Sequence, residues 1–313
     1  MVSVSGGGDP SGDPRRPPQR QPEIVVVIPA YNEEAAVRTT VEEVRRALDG
    51  AGLAHEVVVV DDGSSDATLA EARASGARVL HFDDNCGYGH ALKAGIAATE
   101  SPLVAILDAD GTYPPHELPA MIGLAACAEM VVGDRGRRMN NVPFIRRPAK
   151  WVLKLLASIL ARRRIDDVNS GLRVFRRPAL QRFVPLLPDG YSFTTTITLC
   201  MLASNLRVVY HPIRYGRRIG HSKIRARHFF KFVFLVVHLT LIFQPLRILL
   251  PFAALLLTAG VAHGMKDAAL SQPSMPTILL YSGALLLGWL GWWADRHARL
   301  RVAEHDSTGA PSA

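Results

Sequence analysis

Asp108 and Asp110 stand two residues apart at the end of the apolar run Leu103 to Leu107, in the segment Asp108-Ala109-Asp110-Gly111-Thr112-Tyr113. Two carboxylates brought this close repel unless a cation lies between them, and a hard divalent ion with oxygen ligands fits. Mg²⁺ or Mn²⁺ held by one or two carboxylates completes its shell with substrate phosphates, so the pair predicts a metal–diphosphate site. Two more polar clusters follow apolar runs in the same way: Pro29-Ala30-Tyr31-Asn32-Glu33 and Asp61-Asp62-Gly63-Ser64-Ser65-Asp66. One acidic turn is usually a helix cap, the role expected of Asp66. Three on one sheet edge point to a ligand.

The elements that must position these clusters alternate. Glu23 to Pro29, Glu56 to Val60, Arg78 to His81 and Leu103 to Leu107 read as short buried strands. Between them, Glu33 to Leu48, Thr68 to Ala74 and His90 to Thr99 read as helices, the first with apolar residues at Val37, Val41, Val44 and Leu48. Such alternation predicts an α/β fold, a mostly parallel, Rossmann-like sheet with right-handed crossovers. Ligands in these sheets sit beyond the carboxyl ends of the strands, where all three clusters fall. Gly87-Tyr88-Gly89 is only a partial dinucleotide fingerprint, placed after the wrong strand, and reads as a glycine-rich turn.

The chain has 313 residues, 48% hydrophobic and 20% charged, a length for about two domains and a composition that excludes disorder as a whole. Cys86, Cys127 and Cys200 have no metal-ligand spacing and cannot all pair, which excludes a disulfide-stapled secreted domain. The net charge of +8 is concentrated: ten Lys/Arg and no acid from Arg135 to Arg164, eight and no acid from Arg207 to Lys231, leaving 18 basic against 28 acidic residues elsewhere. Basic faces attract nucleic acid, anionic lipid or phosphorylated substrates. Aromatic stacking platforms are missing from both windows, so nucleic acid is rejected. The first window carries Trp151, Val152, Leu155, Leu156, Ile159 and Leu160 at helical spacing, the pattern of a membrane-surface helix or of a solvated helix packed on the sheet.

Residues 1–22 lack an apolar h-region and read as a disordered tail. Pro276 to Ala294 is uncharged and of membrane-spanning length, with Trp289, Trp292 and Trp293 near one end. Ile248 to Ala262 is a second uncharged run, read as its hairpin partner. Phe229 to Phe243 carries Lys231 and His238 and reads as an interfacial helix, a third span being the alternative. The expected organisation is a catalytic domain over 23–225, an interfacial helix over 226–245, membrane helices over 246–264 and 276–294, and a tail over 295–313. Arg-rich outer flanks and a nearly uncharged loop place both flanks in the cytoplasm, on the inner membrane.

The strings VVIPAYNEE, VVVDDGSSD, CGYGHALKAGI and LDADGTYPP resemble family 2 glycosyltransferases with the GT-A fold. VVGDR, VPFIRR, DVNSGLRVFRR, YSFTTTITL and RRIGHSKI are similar to the polyprenyl-phosphate branch, typified by dolichyl-phosphate mannosyltransferase and undecaprenyl-phosphate relatives. The resemblance implies that Pro29, Tyr31 and Glu33 frame the nucleotide, with Val59 and Asp61 at base and ribose and the Ala109 backbone in contact. It implies metal and diphosphate at Asp108 and Asp110, with Thr112 as a third metal contact where relatives often carry Gln. Arg135, Arg217 and Lys223 match cations around the phosphates; Arg135 with Arg146 or Arg147 matches the lipid-phosphate site. An Asp lining the sugar pocket corresponds to Asp166 or Asp167.

The reaction so implied is inverting transfer of a hexose from GDP-mannose or a UDP-sugar to dolichyl or undecaprenyl phosphate at the cytoplasmic face, with Asp108, Asp110 and Arg135 catalytic and Mg²⁺ or Mn²⁺ as cofactor. Two rivals stand beside it: transfer to a carbohydrate or lipid hydroxyl, with Asp166 or Asp167 as base, and a non-catalytic nucleotide-sugar-binding membrane protein. Donor base, sugar, polyprenol length and homo-oligomerisation through the membrane helices are all left open. For Ser192 to Thr196 the expectation is a β-rich strand entry with no catalytic role.

Overall fold

The computed structural model describes residues 22–136, 167–216, 237–269 and 274–308. They fall into two compact units, one holding the sheet and one holding the C-terminal helices.

In the first unit β1 (Ile24–Ala30), β2 (His55–Asp62), β3 (Arg78–Phe82) and β4 (Leu103–Ile106) alternate with α1 (Val37–Gly50), α2 (Thr68–Ala74) and α3 (Tyr88–Ala97). After α4 (Leu118–Leu124) come β5 (Met130–Asp134), β6 (Arg173–Arg176), α5 (Arg177–Gln181), α6 (Phe193–Ala203) and β7 (Val208–Pro212). The seven strands are ordered β3-β2-β1-β4-β6-β5-β7. β1 pairs in parallel with β2 and β4, and β2 with β3. β6 runs antiparallel between β4 and β5, and β7 is parallel to β5. The α/β, GT-A-like architecture expected from the sequence is present, as a mixed sheet.

β1 is central in its half, and all seven of its residues are buried, as expected for a strand covered on both faces. Ile24, Val26 and Ile28 share a core with Val57, Val59, Ala105, Leu107 and the α1 stripe Val37, Val41, Val44 and Leu48. α3 covers the other face so closely that a Cβ on Gly95 would lie 2.4 Å from Val27 Cγ1. Residues 31–36 form a loop rather than the start of α1: Asn32 takes φ 54°, a left-handed conformation that Asn tolerates and that interrupts a helix. Ser192 to Thr196 is not a strand entry. It opens α6, whose eleven residues are all buried, so burial overrides the weak helix preference of three threonines.

In the second unit residues 237–243 are helical, and Gln244-Pro245 separates them from a helix over Leu246–Ala269. A further helix covers Met275–Thr308, running past the expected end of the span through Ala-, Arg- and Leu-rich sequence that favours helix. Leu246–Ala268 and Met275–His297 are long and apolar enough to cross a membrane, with mean hydropathies of 1.8 and 1.3. They pack on one another through small residues: Gly260 faces Leu280 and Tyr281, Gly283 faces Leu256, and Gly291 faces Leu246 and Leu249. Their outer faces expose Leu250, Leu257, Leu279, Leu286, Trp289 and Trp293. So much exposed apolar surface is stable in lipid and costly in water. Asp267, near the end of the first of these helices, accepts from the backbone N–H and hydroxyl of Ser274, just ahead of the second, at 2.8 and 2.7 Å.

Candidate functional site

The loops after β1 and β2 are laced together at the carboxyl edge. Asn32 N–H donates to Ser64 Oγ at 2.9 Å, Ser65 N–H donates to Asn32 Oδ1 at 2.9 Å, and Glu33 N–H donates to Thr68 Oγ1 at 2.7 Å. Pro29 lies opposite Val60, and Ile28 opposite Val59, so Pro29, Val59 and Asp61 stand at one level of the edge with half-buried Tyr31 and Glu33 beyond them. Asp61 is fully buried; its Oδ2 meets His81 Nδ1 at 2.8 Å and its Oδ1 accepts from Ser64 N–H at 3.3 Å. His81 was not singled out in the sequence, although its place at the end of β3, opposite Asp61 across the ladder, follows from the strand spacing.

Asp62 points the other way on the pleat and accepts the N–H groups of Cys86 and Gly87, both at 2.8 Å. That sets the glycine-rich turn before α3. Its glycines admit a neighbouring backbone: a Cβ on Gly89 would lie 2.0 Å from Pro188 O, and one on Gly87, at φ +109°, 2.6 Å from Asp189 O. Gly89 and His90 donate to Asp189 O at 2.7 and 3.1 Å, and Lys93 Nζ meets the Asp189 carboxylate at 2.5 Å.

Asp108 and Asp110 follow β4 on a turn made possible by Gly111 at φ +68°. Asp108 Oδ1 accepts from Tyr88 Oη at 2.8 Å. Burial, then the Asp108 charge, push the Tyr88 phenol well above its ordinary pKa, so it stays a donor. Asp110 Oδ1 accepts from the N–H and the hydroxyl of Thr112, at 3.1 and 2.5 Å. Thr112, 1% exposed, therefore spends its hydroxyl proton on Asp110. The Ala109 carbonyl accepts from Thr40 Oγ1 at 3.2 Å. Among the described residues no group of three or more His, Cys, Asp and Glu gathers into a metal cage. Two carboxylates on one turn still fit a hard cation that takes its other oxygens from water and diphosphate. Gly171 leaves them room, since a Cβ there would lie 2.3 Å from Asp108 Oδ2.

Gly171 belongs to the loop 167–171, which also holds Arg135. The guanidinium donates from Nε and Nη2 to the two oxygens of Asp167 at 2.7 and 2.9 Å, and lies 5.4 Å from the centroid of the Tyr215 ring. Burial acts against the charge on both partners, but their mutual hydrogen bonds outweigh it: Arg135 is raised further and Asp167 lies below the usual carboxylate range. The loop rests on Arg173, fully buried, which donates to Ser170 O at 2.8 Å, Val168 O at 2.8 Å and Thr198 Oγ1 at 2.6 Å. Gly171 N–H also donates to Tyr113 Oη at 2.6 Å. Gly216 N–H donates to Thr112 O at 2.8 Å, which ties the chain after β7 to the aspartate turn. Arg146, Arg147, Asp166, Arg217 and Lys223 lie outside the described residues, as does the basic stretch from residue 137 to 164.

Comparisons with known proteins bear on the family and the fold. The model of the family described as "Glycosyl transferase family 2" matches residues 25–183. A "Dolichyl-phosphate hexose transferase" of Haloferax volcanii is 34% identical over 64% of this chain and 86% of its own. An "Undecaprenyl-phosphate mannosyltransferase" of Micrococcus luteus is 29% identical over 64% and 87%. An "Undecaprenyl-phosphate 4-deoxy-4-formamido-L-arabinose transferase" of Pseudomonas paraeruginosa is 30% identical over 93% of this chain and 92% of its own. Among solved structures, glucosyl-3-phosphoglycerate synthase from Mycobacterium tuberculosis, in complex with Mn²⁺, UDP-glucose and phosphoglyceric acid, shares the fold. Its TM-score is 0.55 at 23% identity, over 69% of this chain and 79% of that one.

Proposed function

The chain belongs to glycosyl transferase family 2, and from that premise we propose that it moves one hexose from a nucleotide diphosphate donor to a polyprenyl phosphate, at the cytoplasmic face of the membrane that its C-terminal helices span. The acceptor class is that named for the Haloferax volcanii, Micrococcus luteus and Pseudomonas paraeruginosa relatives, the last matching nearly the whole chain. The membrane side rests on the Arg-rich flanks and the nearly uncharged turn between the two apolar helices.

The observation that carries the reading is the convergence on one loop of a carboxylate turn and a cation. Gly171 abuts Asp108, and Asp167, four residues earlier, grips Arg135. A divalent cation on Asp108 and Asp110 would offset the charge of the departing diphosphate. Asp167 engages the guanidinium through Nε and one Nη2 hydrogen, leaving the other edge of Arg135 to a phosphate oxygen. An oxygen of the lipid phosphate attacks the anomeric carbon, the bond from that carbon to the diphosphate oxygen breaks, and the nucleoside diphosphate leaves with inversion. A phosphate monoester is already ionised near neutral pH and needs no general base. That agrees with Asp167, whose carboxylate is committed to Arg135 and is a poor base for a hydroxyl acceptor.

A product assay tests this. Full-length protein in detergent receives undecaprenyl phosphate, Mg²⁺ or Mn²⁺, and radiolabelled GDP- and UDP-hexoses. Label entering the organic phase with one donor, and absent with Asp110→Ala, is the expected result. Label found only in water-soluble or polymeric acceptors overturns the lipid-phosphate assignment.

A further inference from the structure

Two side chains near the aspartate turn have no part in the account above: one lies just ahead of α6 and the other on the loop that α6 braces. Asn169 is exposed at the centre of the loop 167–171. Its Oδ1 accepts from Thr195 Oγ1 at 2.5 Å, and Thr195 is itself 2% exposed on α6. With the Thr195 hydroxyl as donor, the carbonyl oxygen faces Thr195 and the Nδ2 amino group is directed away from it. Among the described residues no acceptor meets Nδ2. Asn169 is two residues from Gly171, against Asp108, and two from Asp167, against Arg135. Two residues of chain span at most about 7 Å.

Tyr191 immediately precedes α6 and is 53% exposed. Its ring stacks on Tyr88 with centroids 5.9 Å apart and an interplanar angle of 19°. Tyr88 in turn donates to Asp108. One face of Tyr191 is thus backed by a ring tethered to the aspartate turn, and the side chain still presents half its surface to solvent.

We propose that Asn169 and Tyr191 hold the transferred hexose: the Asn169 amide donates to a ring hydroxyl and the Tyr191 ring packs against the apolar C–H face of the sugar. The assignment rests on the reading of Asp108 and Asp110 as the diphosphate end of the donor. The hexose is covalently joined to that diphosphate, so it must lie within a ring's width of the turn. Asn169 and Tyr191 approach the aspartate turn from two segments, one by way of Gly171 beside Asp108 and one by way of Tyr88 bonded to Asp108. A hexopyranose offers what they recognise, equatorial hydroxyl oxygens around its edge and polarised C–H bonds on its face, which the electron-rich face of an aromatic ring attracts. A neutral, oriented amide selects a hydroxyl pattern without adding charge beside Arg135. Asn169 and Tyr191 then act on the sugar, and leave the nucleotide to the β1 and β2 loops.

Calorimetry on the full-length protein in detergent with Mn²⁺ separates the two parts. UDP and GDP probe the nucleotide site alone; a panel of UDP- and GDP-hexoses adds the sugar. In the unaltered protein the preferred hexose donor binds more tightly than its bare diphosphate. Asn169→Ala and Tyr191→Ala are expected to reduce that advantage about tenfold each while the Kd of the bare diphosphate stays within twofold. Thr195→Val, which frees the amide to turn, loses part of the same advantage, and Tyr191→Phe, which keeps the ring, restores it. Equal weakening of sugar donor and bare diphosphate, no change in either, or an unaltered protein that holds no hexose donor more tightly than its diphosphate would overturn the assignment. The binding split is independent of the acceptor, so failure to label a lipid would sink the polyprenyl-phosphate reading and leave this one standing.

Discussion

The two halves of the sheet build the site by different means. In the parallel half, β3-β2-β1-β4, the edge is made of turns whose backbone N–H groups are collected by neighbouring side chains: Asn32 on Ser64, Ser65 on Asn32, Glu33 on Thr68, Cys86 and Gly87 on Asp62. Many modest bonds share the task, none of them between formal charges. In the mixed half, β6-β5-β7, two arginines do it: Arg135 clamped by Asp167, and Arg173 buried beneath the loop that carries Asp167 and Gly171. Positioning is distributed in one half and concentrated in the other. Losses in the mixed half are therefore expected to be larger per residue.

The largest effect is expected at the seam, since Asp108 and Asp110 follow β4, the strand that pairs with both halves. Asp110→Ala should lower transfer by about a thousandfold or more in metal-supplied enzyme, with the Kd for metal-free nucleoside diphosphate nearly unchanged. Transfer assays and calorimetry on the same preparation check both. Next comes Gly171→Ala. The added methyl would lie 2.3 Å from Asp108 Oδ2, so the carboxylate or the loop must shift, and a displacement near 1 Å at a reacting centre costs about a hundredfold. Gly123→Ala, where a Cβ meets nothing within 4 Å, is the control and should be silent.

That Gly171 matters could not be read from the sequence, and the reason is topological. The four parallel strands and three helices of the first half announce themselves, because β-branched runs such as Ile24 to Ile28 stop at polar residues and the α1 stripe repeats at helical spacing. The clusters that hold Pro29, Asp61, Asp108 and Asp110 fall at the carboxyl edge by that pattern alone, while the separate roles of Pro29 and Asp61 come only from the family resemblance. β5, β6 and β7 are short strands with few distinguishing residues, and β6 reaches its place between β4 and β5 only after a long connection. Nothing local to DVNSGLRVFRR says that Gly171 will touch Asp108 or that Arg173 will be fully buried. Asn169 and Tyr191 were passed over for the same reason: their meaning lies in α6, which three threonines disguise. His81 was within reach, being opposite Asp61 once β2 and β3 are aligned.

A third substitution sharpens the contrast in stability rather than rate. Arg173→Met keeps the stem packed near Met130 but abandons Ser170 O, Val168 O and Thr198 Oγ1. Buried polar atoms left without a partner cost about 1–3 kcal/mol each, and partial relaxation of the loop brings the expected loss to about 3 kcal/mol. The matched change in the parallel half, Asn32→Gly, removes the bonds from Ser65 to an exposed side chain while keeping a residue that accepts the left-handed backbone, and should cost about 1 kcal/mol, the usual worth of such a bond. Chemical denaturation of the two variants measures the difference. Equal losses would mean that positioning is shared evenly across the sheet after all.

The smaller effect expected in the mixed half is at Asp167, and pH separates it from the others. Burial pushes its carboxyl up, but hydrogen bonds from Arg135, the Arg135 charge and the Asn169 N–H outweigh burial and leave it below the ordinary carboxylate value. The folded state then binds its proton less readily than the unfolded chain, so the pair contributes stability above the unfolded pKa of about 3.9. That contribution is lost as pH falls through the folded value. Asp167→Asn retains one oxygen for Arg135 and should cost about 2 kcal/mol at neutral pH, the difference from the unaltered protein shrinking as pH falls through the folded value and vanishing below it. Arg173→Met, by contrast, should keep most of its loss at both ends of that range, because its lost hydrogen-bond partners are carbonyl and hydroxyl oxygens that do not titrate there, and only the smaller action of its charge on Asp167 fades at low pH. A pH-independent loss in Asp167→Asn would show that the carboxylate serves the loop through its shape, with the Asn169 turn rather than the charge on Arg135 as its partner.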